Sequence, residues 1–194
     1  MGRSARAAGL VAILAIACSD APTGSDESSA REVAVRVGSV GVDRFNAPVV
    51  VLEEQDGSRV LPIWIGVAEA TSIASHLQHQ PSPRPNFHDL AKQLIETVDA
   101  ELVRAVVTEL RGGTYYATLA LRTNGRIVEI DVRPSDAIAV AVRLEAPILV
   151  RENLFEKAQA EQPARDDSGQ AISFEPLPRA QPGGSAPATP ELKL

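Results

Sequence analysis

The chain of 194 residues contains one cysteine, which excludes any fold that depends on an intrachain disulfide. Aromatic residues make up only 4% of the chain, so its core must be mostly aliphatic. No phosphate-binding glycine loop, His-Glu-x-x-His helix or Gly-x-Ser-x-Gly nucleophile elbow occurs. The sequence therefore lacks the short signatures of several large enzyme classes, and any site has to be found from less specific patterns.

Positive charge is also in deficit. The chain has 19 Lys and Arg against 25 Asp and Glu, a formal net charge of -6. Between residues 30 and 160 the counts are 14 and 17. A surface that binds phosphate backbones over a broad area is usually basic. The composition therefore argues against a protein that coats nucleic acid without a localised site.

The N-terminus has no apolar run long enough for a transmembrane helix. Arg3 and Arg6 precede an apolar segment, residues 10–17, that is too short to span a bilayer. A small residue then stands directly before Cys18, an arrangement that resembles a bacterial lipoprotein lipobox. We predict a lipoprotein-like signal peptide over residues 1–17, lipidation of Cys18 and export to a periplasmic or cell-surface face of a membrane. The alternatives are an ordinary cleaved signal and a mis-called start codon.

Composition divides the rest of the chain into three parts. Residues 18–30 are rich in Ser, Asp, Gly and Pro, which is typical of a flexible tether. Residues 31–160 carry the periodic apolar patterns of one folded domain. Residues 161–194 are Pro-rich and without apolar periodicity, which predicts a disordered tail.

Within the domain, hairpin patterns alternate with single helical patterns. Asn124-Gly125 is the strongest hairpin signal, and Gly112-Gly113 is a second one. The predicted strands are 33–42 with an irregularity at Gly38-Ser39, 48–53, 59–65, 102–110, 114–122, 126–132 and 147–150, and the predicted helices are 67–79, 86–98, 135–144 and 153–160. This order predicts an α+β fold with a mixed, largely antiparallel sheet and three to four helices.

The junction Val132-Arg133-Pro134-Ser135-Asp136 concentrates polar chemistry at a strand-to-helix turn. Proline ends the strand, and Ser135 is expected at the helix N-cap. Asp136 then lies in the first turn, where a carboxylate complements the helix dipole. A guanidinium, a hydroxyl and a carboxylate so close together also suit a functional site.

Three other polar groups are candidates, each with a structural alternative. His88-Asp89 could serve as base and metal ligand or as a proton relay, or Asn86 and Asp89 could simply form a capping box. Glu69 falls in the first turn of its helix, where it either complements the dipole or joins other carboxylates across a cleft. His76 and His79 are spaced to share a metal, or to interact with the helix C-terminus. The acidic segment 53–56 is expected to be a solvated hairpin end.

The order of motifs resembles that of the bifunctional nuclease domain family over residues 33–158. The segments that carry the resemblance are Pro48–Glu53, Leu61–Gly66 with Glu69-Ala70, Arg84-Pro85, His88–Leu90, Arg133–Ala139 and Ala146–Ile148. The resemblance implies an α+β domain, often oligomeric, and a nuclease that acts on both DNA and RNA. The polar positions that match are Glu69, His88, Asp89, Arg133, Ser135 and Asp136.

From the resemblance we derive a hypothesis for the roles of these residues. Glu69, Asp89 and Asp136 would hold a hard divalent cation such as Mg²⁺ or Mn²⁺. His88 would activate water, and Arg133 would stabilise charge on the phosphate. The rival hypothesis is a non-catalytic envelope domain that binds a protein or small ligand, in which these residues only hold turns together. Convergence of the residues on one open pocket favours catalysis, and mutual satisfaction in a buried setting favours the structural role.

Overall fold

The computed structural model describes residues 31–80, 82–161 and 175–176. The predicted signal peptide, lipidated cysteine and tether lie outside the described residues, as does most of the predicted tail. In the part of the chain that is described, no helix is long and apolar enough to cross a membrane.

The domain combines one sheet with four helices, which confirms the predicted α+β class. The strands are β1 Glu32–Val42, β2 Pro48–Glu54, β3 Val60–Trp64, β4 Glu101–Arg111, β5 Thr114–Thr123, β6 Arg126–Val132, β7 Ile148–Arg151 and the two-residue β8 Glu175–Pro176. The helices are α1 Val67–Leu77, α2 Phe87–Thr97, α3 Pro134–Arg143 and α4 Asn153–Glu161.

The seven longer strands lie in the order β3-β2-β1-β7-β4-β5-β6, and β8 pairs with β1. All pairs are antiparallel except β4 with β7. Consecutive strands form the β2–β3 hairpin and the β4–β5–β6 meander, as the turn signals predict. The register of β1 shifts between Val37 and Ser39, at the predicted irregularity. In the β5–β6 turn, Asn124 and Gly125 both have positive φ, 49° and 72°, the combination that a type I′ hairpin requires.

The core is built almost entirely from Val, Leu, Ile and Ala, in agreement with the scarcity of aromatic residues. Helix α3 contributes several fully buried positions, among them Ile138 and Ala139. It contacts α1, α2, β4 and β5, so it is the central helix of the domain. The N-terminus of α3 is thereby fixed against the two other helices that carry candidate site residues.

The start of α3 differs from the prediction that Ser135 is its N-cap. Arg133 is the N-cap residue, Pro134 is the first helical residue, and no side chain caps the helix. Proline has a fixed φ that suits the first helical position, so the helix begins before Ser135. Ser135 instead lies in the first turn and is buried.

The apolar face of α2 is largely exposed, although its periodicity is that of a core-facing helix. Leu94 is 57% exposed, and Leu90 and Val98 are also exposed. Only Ala91 and Ile95 pack against the core. The apolar periodicity predicts the helix correctly. It does not reveal that no element among the described residues packs over half of the apolar stripe.

Candidate functional site

Arg133 is the centre of a charged cluster at the end of β6. Its Nε and Nη2 atoms donate to the two carboxylate oxygens of Asp136, at 2.7 and 2.9 Å, and Nη2 also donates to Glu69 Oε1 at 2.7 Å. The Arg133 side chain is 66% exposed, whereas those of Glu69 and Asp136 are mostly covered. The cluster therefore presents one accessible cation, held by two carboxylates.

Aromatic side chains surround Arg133 on both sides. Arg133 and Tyr115 line two neighbouring pockets, of about 590 and 410 Å³. Phe87 and Tyr116 line the larger pocket, and Trp64 lines the smaller one. Four of the few aromatic residues of the chain are thus gathered around one arginine. Aromatic faces next to a guanidinium suit a ligand that combines planar rings with an anionic group.

The electrostatics of the cluster keep Asp136 ionised. Burial alone raises the pKa of Asp136, but hydrogen bonds from Arg133 and His88 outweigh it, and the pKa lies below its ordinary value. The hydrogen bonds that Arg133 donates to Asp136 and Glu69 raise the pKa of Arg133. Asp136 and Arg133 therefore remain charged over the whole physiological pH range.

His88 connects this cluster to the interior. It is 5% exposed, and its Nε2 lies 3.1 Å from Asp136 Oδ1. Its Nδ1 lies 2.9 Å from the hydroxyl of Ser72. Serine, histidine and aspartate are thus in line, as in a hydrolase triad. Ser72 is unsuited to act as a nucleophile, however, because it is buried and its oxygen also accepts from Asn86 Nδ2 and Arg143 Nη2.

Asp89 belongs to the opposite end of this network. Asn86 caps α2, and Asp89 accepts from the Asn86 backbone N–H, which confirms the predicted capping box. The other oxygen of Asp89 accepts from Arg143 Nε at 2.7 Å. Burial raises the pKa of Asp89, but the bonds from Arg143 and Asn86 prevail and lower it. Asp89 lines a separate pocket of about 490 Å³ rather than the pockets around Arg133.

The structure therefore brings together Glu69, His88, Arg133 and Asp136, and it places Asp89 elsewhere. Ser135 lines the smaller aromatic pocket beside Arg133. Within the described residues no three His, Cys, Asp or Glu side chains are grouped so that they could hold a metal ion. Glu69 and Asp136 nevertheless share one cation, Arg133, and their hard oxygens are the donor type that Mg²⁺ prefers.

His76 and His79 do not form a pair of ligands on one helical face. His76 Nε2 lies 3.0 Å from the carbonyl oxygen of Val142. His79 lies beyond the end of α1 and has a positive φ of 54°. Both line the pocket that Asp89 also lines. The acidic hairpin end is likewise more organised than expected, because hydrogen bonds from Arg59 and Ser58 lower the pKa of Glu54 to about 2.

Gly66 leaves space for the carboxylate of Glu69. A Cβ atom at residue 66 would overlap with Glu69 Oε2. The carboxylate of Glu69 therefore folds back over the N-cap of α1, which is Gly66 itself. A side chain at residue 66 would therefore require the Glu69 carboxylate to shift.

The sequence patterns missed two residues of the network, Ser72 and Arg143. Ser72 lies among the buried residues Ala70, Ile73 and Ala74 of α1. Arg143 is in the last turn of α3, and its side chain is only 3% exposed. A polar residue on an otherwise buried helical face was the available signal in both cases, because such residues are buried only with hydrogen-bond partners.

Comparison with known proteins identifies relatives of this domain. A sequence profile described as Bifunctional nuclease domain matches residues 50–163. An uncharacterized protein of Mycobacterium tuberculosis is 40% identical over 125 residues, which are 64% of this chain and 74% of that protein.

Two plant relatives carry the name Bifunctional nuclease 1. The one from Oryza sativa subsp. japonica is 30% identical over 117 residues, which are 57% of this chain and 35% of that protein. The one from Arabidopsis thaliana is 31% identical over 111 residues, which are 55% and 34% of the two chains. This chain thus spans about a third of the length of these plant proteins.

Proposed function

This chain belongs to the bifunctional nuclease domain family and carries a nuclease-like domain, and we propose that it hydrolyses phosphodiester bonds of DNA or RNA at Arg133. The observation that carries the proposal is the position of Arg133 between two pockets with aromatic walls. Bases stack on aromatic side chains in proteins that bind single strands, and a guanidinium N–H donates charge-assisted hydrogen bonds to phosphate oxygens.

Each residue of the cluster has a role in this proposal. Arg133 binds the scissile phosphate and stabilises the charge that develops on it. No residue in the described part of the chain accepts from its Nη1, so that group is the one offered to a phosphate. Asp136 and Glu69 hold the guanidinium in place, and a carboxylate at this position also suits the orientation of an attacking water.

His88 has a different role from the one predicted from the sequence resemblance. It is buried, and its two ring nitrogens face Asp136 and Ser72. We therefore propose that it orients Asp136 and does not take a proton from water itself.

We also propose that activity depends on a divalent cation such as Mg²⁺ or Mn²⁺. Glu69 and Asp136 would be its protein ligands, since Mg²⁺ sites often use one or two carboxylates together with substrate phosphates. A bound cation would supply Lewis-acid stabilisation of the phosphate charge. Asp89 is not part of this ligand set, because it lines the separate pocket and not the two pockets around Arg133.

The test is a cleavage assay of the purified chain on single-stranded DNA and RNA. We expect cleavage in the presence of Mg²⁺ or Mn²⁺, its loss with a chelator, and a decrease of about 100-fold in Asp136→Asn, which keeps the shape but not the charge. Cleavage that survives the chelator removes the metal from the proposal. Undiminished cleavage by Asp136→Asn contradicts the assignment of the site.

The exposed apolar face of α2 supports a further part of the proposal, a homo-oligomer. Phe87 of α2 is 70% exposed. Strand β6 is the last strand of the sheet order, and its Ile127, Val128 and Ile130 are exposed as well. Its outer edge pairs with no other strand among the described residues. Exposed apolar side chains beside such a strand edge are typical of an interface. Sedimentation velocity of the full chain distinguishes a dimer, which we expect, from a monomer.

The N-terminal sequence supports a location outside the cytoplasm. We propose that residues 1–17 are a signal peptide and that Cys18 carries the lipid that anchors the protein to a membrane. A non-catalytic envelope domain is the alternative function for a protein in this place. Incorporation of labelled palmitate by the wild type and not by Cys18→Ser is the measurement that checks the anchor.

A further inference from the structure

The hydroxyl of Ser72 is the crossing point of the buried network. Its oxygen is in contact with Arg143 Nη2 at 2.8 Å, Asn86 Nδ2 at 3.0 Å and His88 Nδ1 at 2.9 Å. Ser72 is 7% exposed, so these three protein groups take the place of water. The proton positions within the network follow from what each partner is able to donate or accept.

Two of the three partners can only donate. An arginine side chain has no acceptor atom. The amide of Asn86 is oriented by the helix cap, because its Oδ1 accepts from the backbone N–H groups of His88 and Asp89. Its Nδ2 group therefore faces Ser72 and donates. A hydroxyl oxygen has two lone pairs, so these two donors fill both of them.

The remaining group of Ser72, its O–H, must then donate to His88 Nδ1. This nitrogen is an acceptor, and the proton of neutral His88 is on Nε2, where it donates to Asp136 Oδ1. The opposite tautomer would place an N–H against an oxygen with no free lone pair. It would also leave Asp136 with an unprotonated nitrogen 3.1 Å away. The network is satisfied in only one of the two tautomers.

We propose that Ser72 is a positioning residue, which fixes the Nε2–H tautomer of His88 and through it the orientation of Asp136 beside Arg133. The proposal deepens the function proposed above and rests on it for its effect on activity. The tautomer itself is independent of activity. Residues that orient a functional side chain typically contribute about 10- to 100-fold to activity.

The experiment is a long-range ¹H–¹⁵N correlation spectrum of the ¹⁵N-labelled full chain at pH 8. The chain has only three histidines, so His76→Gln and His79→Gln variants assign the ring signals of His88. We expect His88 to show a protonated Nε2 and an unprotonated Nδ1. A protonated Nδ1, alone or together with Nε2, overturns the proposal.

Ser72→Ala tests the cause. It removes the only donor to Nδ1 among the described residues and leaves Asp136 alone to favour the Nε2–H tautomer. We therefore expect a measurable fraction of the opposite tautomer and a decrease in kcat of about 10-fold, with a smaller change in KM. Ser72→Thr keeps a hydroxyl and should keep the Nε2–H tautomer. This variant tests the proposal even if Ser72→Ala does not fold. Ser75→Ala, the same change one turn along α1, is the matched control. A wild-type tautomer in Ser72→Ala overturns the proposal. If the wild type cleaves no nucleic acid but has the expected tautomer, the proposed function fails and the structural inference holds.

Discussion

Replacing Arg133 with methionine is expected to lower kcat/KM for the cleavage of single-stranded nucleic acid by about 100- to 1000-fold. Loss of one preorganised donor to developing charge typically costs this much. The substitution keeps most of the volume of the side chain. It also removes a main group that lowers the pKa of Asp136, so that pKa rises. The acidic limb of the pH–rate profile should therefore move to higher pH, because Asp136 becomes protonated sooner as the pH falls.

Two further variants make this prediction specific. Arg133→Lys keeps the charge but not the paired hydrogen bonds to Asp136, so it should recover only part of the activity. Arg122→Met removes an exposed arginine that pairs with Glu101 at the end of β5 opposite to Tyr115 and Tyr116, and it should stay within about twofold of the wild type. Equal activity of wild type and Arg133→Met would show that this arginine does not bind the substrate.

Replacing Arg143 with methionine is expected to destabilise the fold by about 3 kcal/mol. The guanidinium of Arg143 is buried and donates to Asp89, to the carbonyl oxygens of Ala139 and Ser72, and to the Ser72 hydroxyl. Removing one partner of a buried pair leaves an uncompensated charge and unpaired carbonyl groups, which typically costs 3–5 kcal/mol. Asp89 is partly exposed and can be hydrated, so we expect the lower end of this range. Urea unfolding of both proteins measures the difference.

A second substitution separates charge from packing in this prediction. Asp89→Asn in the Arg143→Met background removes the unpaired carboxylate and keeps an acceptor for the cap of α2, so it should recover part of the lost stability. Arg122→Met, which breaks an exposed ion pair, should cost less than about 1 kcal/mol. A loss below 1 kcal/mol for Arg143→Met would contradict the central place of Arg143 in the network.

The sequence predicts the elements of this fold well because local chemistry determines most of them. The turn at Asn124-Gly125, the irregularity in β1 and the capping box of α2 each depend on residues within a few positions of one another. The predicted N-cap of α3, Ser135, is wrong, because proline can itself occupy the first helical position and the helix begins at Pro134. The exposure of the α2 stripe depends on which elements pack over it, and periodicity carries no such information.

The part of the site that depends on residues close together in the sequence was predictable. Arg133 and Asp136 are neighbours in sequence, and their pairing follows from the turn that contains them. Ser72 and Arg143 are 71 positions apart and meet only because α1 and α3 pack together. The separation of Asp89 from the other carboxylates likewise depends on this packing, since Arg143 of α3 binds it.

The catalytic and the structural hypothesis apply to different parts of the hydrogen-bond network. The buried half of the network, from His88 to Asp89, is mutually satisfied, as a structural role requires. The half around Arg133 is open and bordered by aromatic side chains, which favours ligand binding. The two roles therefore belong to different ends of one network, and the proposed activity depends on the open end.

The fluorescence of Trp64 tests this central claim most directly. It is the only tryptophan of the chain, it lines the pocket beside Arg133, and its indole N–H is bound to Asp43, so its resting environment is fixed. In a titration of the wild type with a single-stranded oligonucleotide in the presence of a chelator, we predict a saturable change in emission that is strongly weakened in Arg133→Met. An emission that stays constant while the oligonucleotide is bound, as seen by its own anisotropy, would contradict the account.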